Sequence, residues 1–539
     1  MEEAIRIFSL MAASSLVVAA GLAAQAAPRQ GDGPVPIDSG RIDGTFAASG
    51  VRAYLGIPYA APPVRELRWR DPQPVVKWDG IYHADRFGPQ CIQPLRRPMT
   101  NQYSGAEVSS EDCLYLNVWA GPGVRKAPVI VYIYGGGFFI GSSAMALYSG
   151  EAVSKQGVVF VSFNYRVGAL GFLAHPALSA ESPHKTSGNY GFLDQIAALK
   201  WVRRNIAQFG GDPDNVTIVG QSAGSMSVLS LQASPLTKGL FNRAVGMSGA
   251  QIGNSNPMQG LREAEAEGLK LQAALKTDSI DQLRLLPADR IVVPRVPGGP
   301  RVGPIQDGYV LPAPIDAIFA RSEQNDVPLI LGFTHDESFG GFGEIKDLQD
   351  YLTRASTRFG DRAGEFLALY PAATDAEARA QARAADRDST MAVGMDDWAR
   401  AQKAHGHAPI FSYEFSRAHS YAPGVTFLDL DPATAGAYHT SDVPFWLGTL
   451  DSFNRYRQTR NWTAADRAFS DEMMRSLVTF ARTGNPNTSS LKWPEFDPGD
   501  SRLLELGTTA SQSNWPNRRK LEFFRTQPSV RPTGGALRD

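Results

Sequence analysis

The segment with the clearest chemical potential is GQSAG at residues 220–224, which places Ser222 between two glycines. In a G-x-S-x-G segment the chain turns sharply from a strand into a helix, and the turn exposes the serine hydroxyl. The apolar residues 216–219 before the segment and the small residues 225–228 after it fit this arrangement. Because short motifs also arise by chance, a nucleophilic role for Ser222 needs further support.

Three consecutive glycines, residues 135–137, give independent support. They follow residues 128–134, whose β-branched and aromatic side chains are typical of a buried strand. Attack of a serine on an acyl group requires hydrogen-bond donors for the oxyanion that develops. Consecutive glycines allow several backbone N–H groups to point at one place, although a plain glycine turn is the alternative.

A serine nucleophile also needs a base and an acid. In enzymes whose serine lies at such a strand-to-helix turn, the three residues follow along the chain in the order Ser, acid, His. Asp336 and Glu337 come directly after the apolar segment 328–332, and the motif does not choose between them. The histidines beyond that point are His405, His407, His419 and His439. We favour His439, which lies in a loop-like segment with aromatic neighbours, whereas His405 and His407 fit solvated positions at a helix end.

The elements around these residues alternate between strands and helices, which indicates a mainly parallel sheet. The predicted buried strands lie at residues 128–134, 158–163, 215–220 and 328–332, and a helix is predicted over residues 193–208. Residues 260–290 and 345–405 are rich in Ala, Glu, Arg and Leu and are predicted to form an added helical layer. No long polar linker divides the chain, so we predict one domain over residues 27–527 and a flexible tail over 528–539.

Composition excludes several other classes of protein. The 539 residues carry 53 basic and 54 acidic side chains, a balance that argues against a nucleic-acid-binding surface. The two cysteines are too few for a Cys-based zinc module. No segment after residue 27 has 18 uncharged apolar residues in a row, so stable membrane insertion is not expected there.

The N-terminal segment has the composition of an export signal. Residues 8–27 are almost wholly apolar or small, and AQA at residues 24–26 fits cleavage after Ala26. Two glutamates near the start fit this interpretation poorly, and an uncleaved membrane anchor is the alternative. We predict a signal peptide over residues 1–26 and a periplasmic or secreted protein. Export favours a disulfide between Cys91 and Cys113.

Taken together, these residues resemble the type-B carboxylesterase family, which also contains the cholinesterases. Residues 209–224 match the family's serine signature, and residues 109–118 match its second signature. Shorter family landmarks occur in order at residues 56–60, 164–168, 188–191, 480–486 and 493–494. The resemblance implies an α/β-hydrolase fold, with a large, mostly parallel central sheet, helices on both faces and helical insertions that form a gorge.

The resemblance also implies the catalytic residues. It makes Glu337 the acid, from an Asp-Glu pair, and His439 the base, from a Gly-Ala-x-His motif. Ser338 stands where the family commonly has glycine. With Ser222 as nucleophile, the implied activity is carboxylic ester hydrolysis through an acyl-enzyme, which needs neither a metal nor an organic cofactor.

Two further features are implied by the same resemblance. The oxyanion donors correspond to the backbone amides of Gly136, Gly137 and Ala223. The family's first disulfide corresponds to Cys91 and Cys113.

The substrate is less well defined by the sequence. Residues 294–301 resemble the loop that shapes the family's acyl pocket, and they lack the bulky aromatic residues of cholinesterases. Four arginines could pair with carboxylates of a substrate. Arg295 and Arg301 lie in this segment, and Arg96 and Arg97 lie in the Cys91–Cys113 loop. We therefore hypothesise a bulky small-molecule ester with a polycarboxylate acyl group, such as the tricarballylate side chains of fumonisin-type mycotoxins, which some bacterial members of the family cleave.

Two alternatives remain. If the arginines are only solvated rim residues, the chain is a general carboxylesterase for neutral xenobiotic esters of the p-nitrobenzyl type. A non-catalytic, cholinesterase-like binding protein is the alternative of another class, because some relatives of the fold have lost the serine. The intact set of Ser222, Glu337 and His439 argues against the latter.

Overall fold

The computed structural model describes residues 33–102, 105, 107–253, 257–292, 299–339, 341–500 and 502–527. The predicted signal peptide, Arg295 and the predicted tail lie outside these residues. The strands are β1 (Val35–Ile37), β2 (Gly40–Phe46), β3 (Arg52–Pro58), β4 (Ile81–Ala84), β5 (Gln90–Cys91), β6 (Ser109–Ser110), β7 (Tyr115–Ala120), β8 (Ala127–Ile133), β9 (Val159–Phe163), β10 (Gly211–Gln221), β11 (Arg243–Met247), β12 (Gln259–Gly260), β13 (Ile305–Gln306), β14 (Leu329–Thr334), β15 (Ile410–Phe415), β16 (Arg502–Leu506) and β17 (Ala510–Asn514).

The α-helices are α1 (Glu151–Ser154), α2 (Gly168–Phe172), α3 (Pro176–Glu181), α4 (Tyr190–Asn205), α5 (Ala223–Ala233), α6 (Leu261–Ala274), α7 (Ile280–Leu285), α8 (Ala288–Ile291), α9 (Ile315–Ala320), α10 (Leu348–Phe359), α11 (Ala363–Leu369), α12 (Asp375–Arg387), α13 (Val393–His405), α14 (Val443–Leu447), α15 (Ala464–Thr483) and α16 (Arg518–Arg525). None of the helices that the structure describes is long and apolar enough to span a membrane.

A large twisted sheet forms the centre of the described structure. Its strands lie in the order β1-β2-β3-β7-β9-β8-β10-β11-β14-β15-β16-β17, and β4 pairs with β2. From β9 to β16 all neighbours in this order are parallel, whereas the outer pairs of the order are antiparallel. Parallel neighbours need crossover connections, which the helices supply. The predicted mostly parallel sheet surrounded by helices is confirmed.

The four predicted strands are present as β8, β9, β10 and β14. Every residue of β8, β9 and β14 is buried, as expected for parallel strands covered on both faces. The predicted helix over residues 193–208 is α4, which begins three residues earlier, at Tyr190. Its last turn tightens into the 3₁₀ helix Ile206–Phe209, which Gly210 ends with a φ of 82°.

Part of the predicted helical layer, the helices α10 to α12, has a core of its own, whereas α6 and α7 pack in a different apolar cluster. Aromatic side chains from α10, α11 and α16 pack together in the core of α10 to α12, among them Phe359, Phe366 and Phe523. The ring centroids of Phe359 and Phe366 are 4.4 Å apart. This part of the layer therefore does not depend on the main sheet alone for its apolar burial.

The predicted disulfide between Cys91 and Cys113 is formed, and both cysteines are buried. The loop that it closes contacts the segment around His439, because the side-chain amide of Gln102 donates to the hydroxyl of Thr440. In the same loop the backbone N–H of Asn101 donates to a carboxylate oxygen of Asp429 over 2.8 Å. The disulfide thus ties down the ends of a segment that lies beside a predicted catalytic residue.

Candidate active site

Ser222 lies at the sharp turn between β10 and α5, as the motif predicts. Its φ of 58° and ψ of −124° fall in a region that non-glycine residues rarely adopt, at a cost of about 1–3 kcal/mol. The backbone N–H of Ser222 donates to the carbonyl of Met247 over 2.8 Å, which holds the turn against the neighbouring strand. The strained turn leaves the serine side chain half-buried rather than enclosed.

The flanking glycines are required because other backbone atoms lie directly against them. A Cβ at Gly220 would lie 2.1 Å from the carbonyl oxygen of Gly224, and a Cβ at Gly224 would lie 2.0 Å from that of Ile133. Both distances are far below van der Waals contact. Glycine at these two positions therefore allows the tight crossing of strand and helix that presents Ser222.

The glycine run after β8 lies against the serine. A Cβ at Gly135 would lie 2.8 Å from the Cβ of Ser222, so the two backbones are adjacent. Gly136 and Gly137 have φ values of 112° and 62°, which favour glycine. Ala223 is the first residue of α5, where backbone amides have no intrahelical acceptor. The predicted oxyanion donors thus lie on the two segments that meet at Ser222.

Half-buried His439 and buried Glu337 form a close pair. The distance between His439 Nδ1 and Glu337 Oε2 is 2.6 Å, and Glu337 is 1% exposed. The second carboxylate oxygen accepts the backbone N–H of Thr334 over 3.1 Å. A carboxylate on Nδ1 favours the tautomer that carries its proton there, so Nε2 is left as an acceptor.

The second ring nitrogen of His439 faces the turn that carries the serine. Nε2 of His439 lies 3.2 Å from the side-chain Nε2 of Gln221, the residue before Ser222. Gln221 is buried and donates to the ring in this arrangement. The motif leaves its second position unspecified, and the sequence therefore offered no signal for this contact.

A second buried carboxylate adds to the electrostatics of the site. Asp442 accepts a hydrogen bond from the hydroxyl of Tyr413 over 2.6 Å. Burial raises the pKa of Asp442 to about 6, with a smaller contribution from the charge of Glu337, while the Tyr413 bond and His439 oppose the rise. Asp442 therefore takes up a proton at a higher pH than an ordinary aspartate.

The other three histidines occupy positions unsuited to a base for Ser222. His405 and His407 are exposed and lie before β15, at the edge of the sheet opposite the serine. His419 is buried, with its Nε2 donating to the carbonyl of Ser441 over 2.8 Å. Its Nδ1 accepts a hydrogen bond of 3.1 Å from Nε of Arg460, so both ring nitrogens are engaged.

The buried His419 predicts acid lability. Burial and the charge of Arg460 lower the pKa of this imidazole to about 3. In the unfolded chain the residue takes up a proton below about pH 6.5, whereas in the folded protein it stays neutral until far lower pH, so acid favours unfolding. We expect His419 to contribute a loss of about 2 kcal/mol to the free energy of unfolding at pH 5 relative to neutral pH, and the raised pKa of Asp442 acts in the opposite direction.

Urea unfolding at both pH values measures this loss. His419→Gln should reduce the pH dependence by that amount, and the control His405→Gln, at an exposed position, should leave it unchanged. An equal pH dependence in both variants would contradict the assignment.

The loop after Glu337 shapes one wall of the site. Asp386 accepts hydrogen bonds from the Ser338 hydroxyl over 2.5 Å and from the Phe339 N–H over 2.7 Å. The Phe339 ring then stands edge to face against the imidazole of His439, with centroids 4.8 Å apart. Ser338, the departure from the family's common glycine, thus takes part in holding this loop.

The candidate substrate-binding arginines differ in their surroundings. Arg96 is half-buried, and its guanidinium lies 3.4 Å from the carbonyl of Gln102. Arg97 is exposed. Arg301 is 3.6 Å from a carboxylate oxygen of Glu263, and Arg295 lies outside the described residues.

The parallel sheet, the serine at a strand-to-helix turn and the His439–Glu337 pair define an α/β-hydrolase. The sequence pattern of the Carboxylesterase family matches residues 32–524, and the chain belongs to that family. It is therefore a carboxylic ester hydrolase.

Several curated proteins are similar to the chain over most of its length. A fumonisin B1 esterase of Sphingopyxis macrogoltabida is 39% identical over 487 residues, which cover 88% of this chain and 86% of that protein. A para-nitrobenzyl esterase of Bacillus subtilis (strain 168) is 33% identical over 499 residues, which cover 89% and 96%. Among solved structures, a PNB esterase is 29% identical with a TM-score of 0.76, covering 92% of this chain and all of that one.

Proposed function

We propose that the protein hydrolyses esters through an acyl-enzyme formed on Ser222, with His439 as general base and Glu337 as the acid that orients it. The observation that carries the proposal is the 2.6 Å bond between His439 Nδ1 and Glu337 Oε2, with the other ring nitrogen directed at the turn of Ser222. Local strain at Ser222 supports the same role, since it presents the hydroxyl at that turn.

In this mechanism Nε2 of His439 removes the proton of Ser222 as the serine oxygen attacks the ester carbonyl. The imidazolium that forms is stabilised by the buried Glu337 carboxylate. His439 then returns the proton to the departing alcohol. Water attacks the acyl-enzyme by the same steps, which releases the acid and restores the serine.

The proposed oxyanion donors are the backbone amides of Gly136, Gly137 and Ala223. The support is the approach of the glycine run to Ser222 and the position of Ala223 at the start of α5. Preorganised amides act where the negative charge develops, and the loss of one such donor costs about 2.7–4 kcal/mol in the transition state.

For the substrate we propose a bulky ester whose acyl group carries carboxylates, of the tricarballylate type found in fumonisins. The similarity to a protein named fumonisin B1 esterase supports this class. The similarity to a para-nitrobenzyl esterase favours the second candidate, a general esterase of neutral substrates. The two candidates differ in the charge of the acyl group, which makes them separable.

Arg96 is the arginine that we propose to bind the substrate carboxylate. Gln102, whose carbonyl it contacts, also bonds to Thr440, the neighbour of His439. Burial raises the pKa of Tyr148 and the nearby charge of Arg96 opposes that rise, so the guanidinium is also close to this hydroxyl. The Tyr148 ring stacks with that of Tyr134, 6.5 Å away, beside the glycine run.

The other arginines have weaker support for this role. Arg97 is exposed to solvent. Arg301 pairs with Glu263, and its backbone N–H donates to Glu267 over 3.0 Å, so acidic side chains already surround it. A substrate carboxylate at Arg301 would have to compete with both of them.

A matched pair of substrates tests the proposal: a p-nitrophenyl ester of tricarballylate with two free carboxylates, and the same ester with both capped as methyl esters. Arg96→Ala is expected to lower kcat/KM for the anionic ester by about 10–100-fold, the worth of a charged hydrogen bond. It should change kcat/KM for the capped ester less than about threefold.

Arg97→Ala is the control for this test, because it removes the same charge from the adjacent exposed position. It should leave the preference between the two esters unchanged. Equal losses for both esters in Arg96→Ala, or a parent enzyme that prefers the capped ester, would favour the general esterase instead.

We also propose that the protein is exported. The apolar segment over residues 8–27 and the disulfide between Cys91 and Cys113 support this, since disulfides persist in oxidising compartments.

A further inference from the structure

The aspartate beside the catalytic acid bonds to the segment that carries the catalytic base. The backbone N–H of Asp336 donates to the carbonyl of Ala437 over 3.0 Å. Its carboxylate oxygen Oδ2 accepts the N–H of the same Ala437 over 2.8 Å. Both bonds meet one buried residue, two positions before His439.

Gly436 makes room for this contact. Its φ is 53°, and a Cβ built there would lie 2.1 Å from Oδ2 of Asp336. The backbone of the His439 segment therefore lies directly on the carboxylate, and any side chain at this position would push the two apart.

The remaining oxygen of Asp336 is also held. Oδ1 lies 3.1 Å from Nδ1 of His335, and the carbonyl of His335 accepts a bond of 2.9 Å from Arg387. Burial alone raises the pKa of the Asp336 carboxyl, but the bonds from His335 and the Ala437 amide lower it below its usual range. The carboxylate is thus a fixed, ionised acceptor.

We propose that Asp336 is a positioning residue for the reaction: it fixes the backbone before His439 so that the imidazole reaches both Glu337 and Ser222. This inference rests on the proposed function, in which His439 is the base. The two acidic neighbours then divide one task, because Glu337 orients the ring and Asp336 places the backbone from which the ring extends.

The size of the effect follows from the geometry that catalysis requires. A displacement of reacting groups by about 1 Å can cost roughly 10²-fold in rate. Without the Asp336 carboxylate, the backbone before His439 can move, and the imidazole can be displaced by about 1 Å while the substrate-binding surfaces stay in place. We therefore expect a loss in kcat rather than a rise in KM.

Asp326 is a matched control at the other end of the same strand. It precedes β14, and its carboxylate accepts the backbone N–H of His407 over 2.8 Å and that of Ala408 over 3.2 Å. Asp326 thus ties a loop to the sheet as Asp336 does, but at the edge opposite Ser222.

The experiment compares Asp336→Ala, Asp336→Asn and Asp326→Ala in the full-length enzyme, with p-nitrophenyl acetate as substrate and thermal unfolding measured in parallel. Asp336→Ala should lower kcat about 30–100-fold with KM within about twofold. Asp336→Asn keeps an oxygen acceptor for Ala437 and should restore kcat to within about threefold of the parent. Asp326→Ala should lower the Tm but leave kcat within about twofold.

Three results would overturn the positioning role. These are a kcat in Asp336→Ala within about threefold of the parent, an equal kcat loss in Asp326→Ala, or an Asp336→Asn variant as slow as Asp336→Ala. If Asp336→Ala does not fold, Asp336→Glu replaces it, since it keeps the charge but displaces the acceptor by one methylene. An unchanged kcat in Asp336→Glu overturns the role equally.

Ser222→Ala, measured beside these variants, separates this inference from the proposed function. Retained hydrolysis in Ser222→Ala overturns the proposed function and the positioning role with it. Lost hydrolysis in Ser222→Ala together with full kcat in Asp336→Ala overturns the positioning role alone.

Discussion

Replacing Ser222 by alanine is expected to lower kcat for p-nitrophenyl acetate by about 10⁶-fold, the scale of nucleophile removal in serine hydrolases. Without the hydroxyl, no acyl-enzyme can form, and the His439–Glu337 pair has no proton to remove. Initial rates of p-nitrophenol release by the parent and the variant, at equal concentrations of folded protein, measure the effect.

Ser230→Ala is the matched control for this substitution. Ser230 lies on the same helix, α5, and is buried, and its hydroxyl has no hydrogen-bond partner among the described residues. The same chemical change there should leave both rate and stability nearly unchanged. Equal activity in Ser222→Ala and the parent would remove Ser222 from the mechanism, whereas an inactive parent would favour the binding-protein alternative.

Much of this site could be predicted because its signals are local. The turn at Ser222 needs glycines at fixed spacing, and those glycines stand in the sequence as a motif. The strand before it shows a run of apolar residues because both faces of a parallel strand are buried. The positions of Glu337 and His439 followed from chain order, from the segments that surround them and from the resemblance to a family.

The contacts that complete the site join residues far apart in the chain. Gln221 meets His439 across 218 positions, and Asp336 meets Ala437 across 101. No pattern of hydrophobicity or spacing encodes such a pair, because the fold brings the two segments together. This is why the motif alone left Asp336 and Glu337 as equal candidates until the family resemblance indicated Glu337, while the structure gives the two acids separate partners.

The arginines show that the electrostatic surroundings of a charge also could not be predicted from the sequence. Composition reveals the positive charges but not their neighbours, and the value of a charge to a ligand depends on what already pairs with it. Arg301 lies beside Glu263, which belongs to the helix α6. No sequence motif indicates that this helix packs near residues 294–301. Arg96 also has an acidic neighbour, Glu107, since its charge opposes the burial that raises the pKa of that carboxyl, but its contact with Gln102 leads towards His439.

The second large effect is expected from Glu337→Gln, which should lower kcat by about 10⁴-fold. The amide has nearly the shape of the carboxylate, so the fold is retained. It carries no negative charge to stabilise the imidazolium, and its NH2 group cannot accept the hydrogen bond from Nδ1 of His439. Because Glu337 is buried, water cannot take over this role. The loss should appear in kcat measured with p-nitrophenyl acetate, with KM little changed.

The neighbouring substitution Asp336→Asn is the control, since it makes the same chemical change one residue away. Asp336 bonds to backbone and to His335 rather than to the imidazole of His439, so an amide there should cost less than about threefold in kcat. A larger loss in Asp336→Asn than in Glu337→Gln would exchange the roles of the two acids. Combining Glu337→Gln with Asp336→Ala should lower kcat little beyond Glu337→Gln alone, because both changes act through the orientation of one ring.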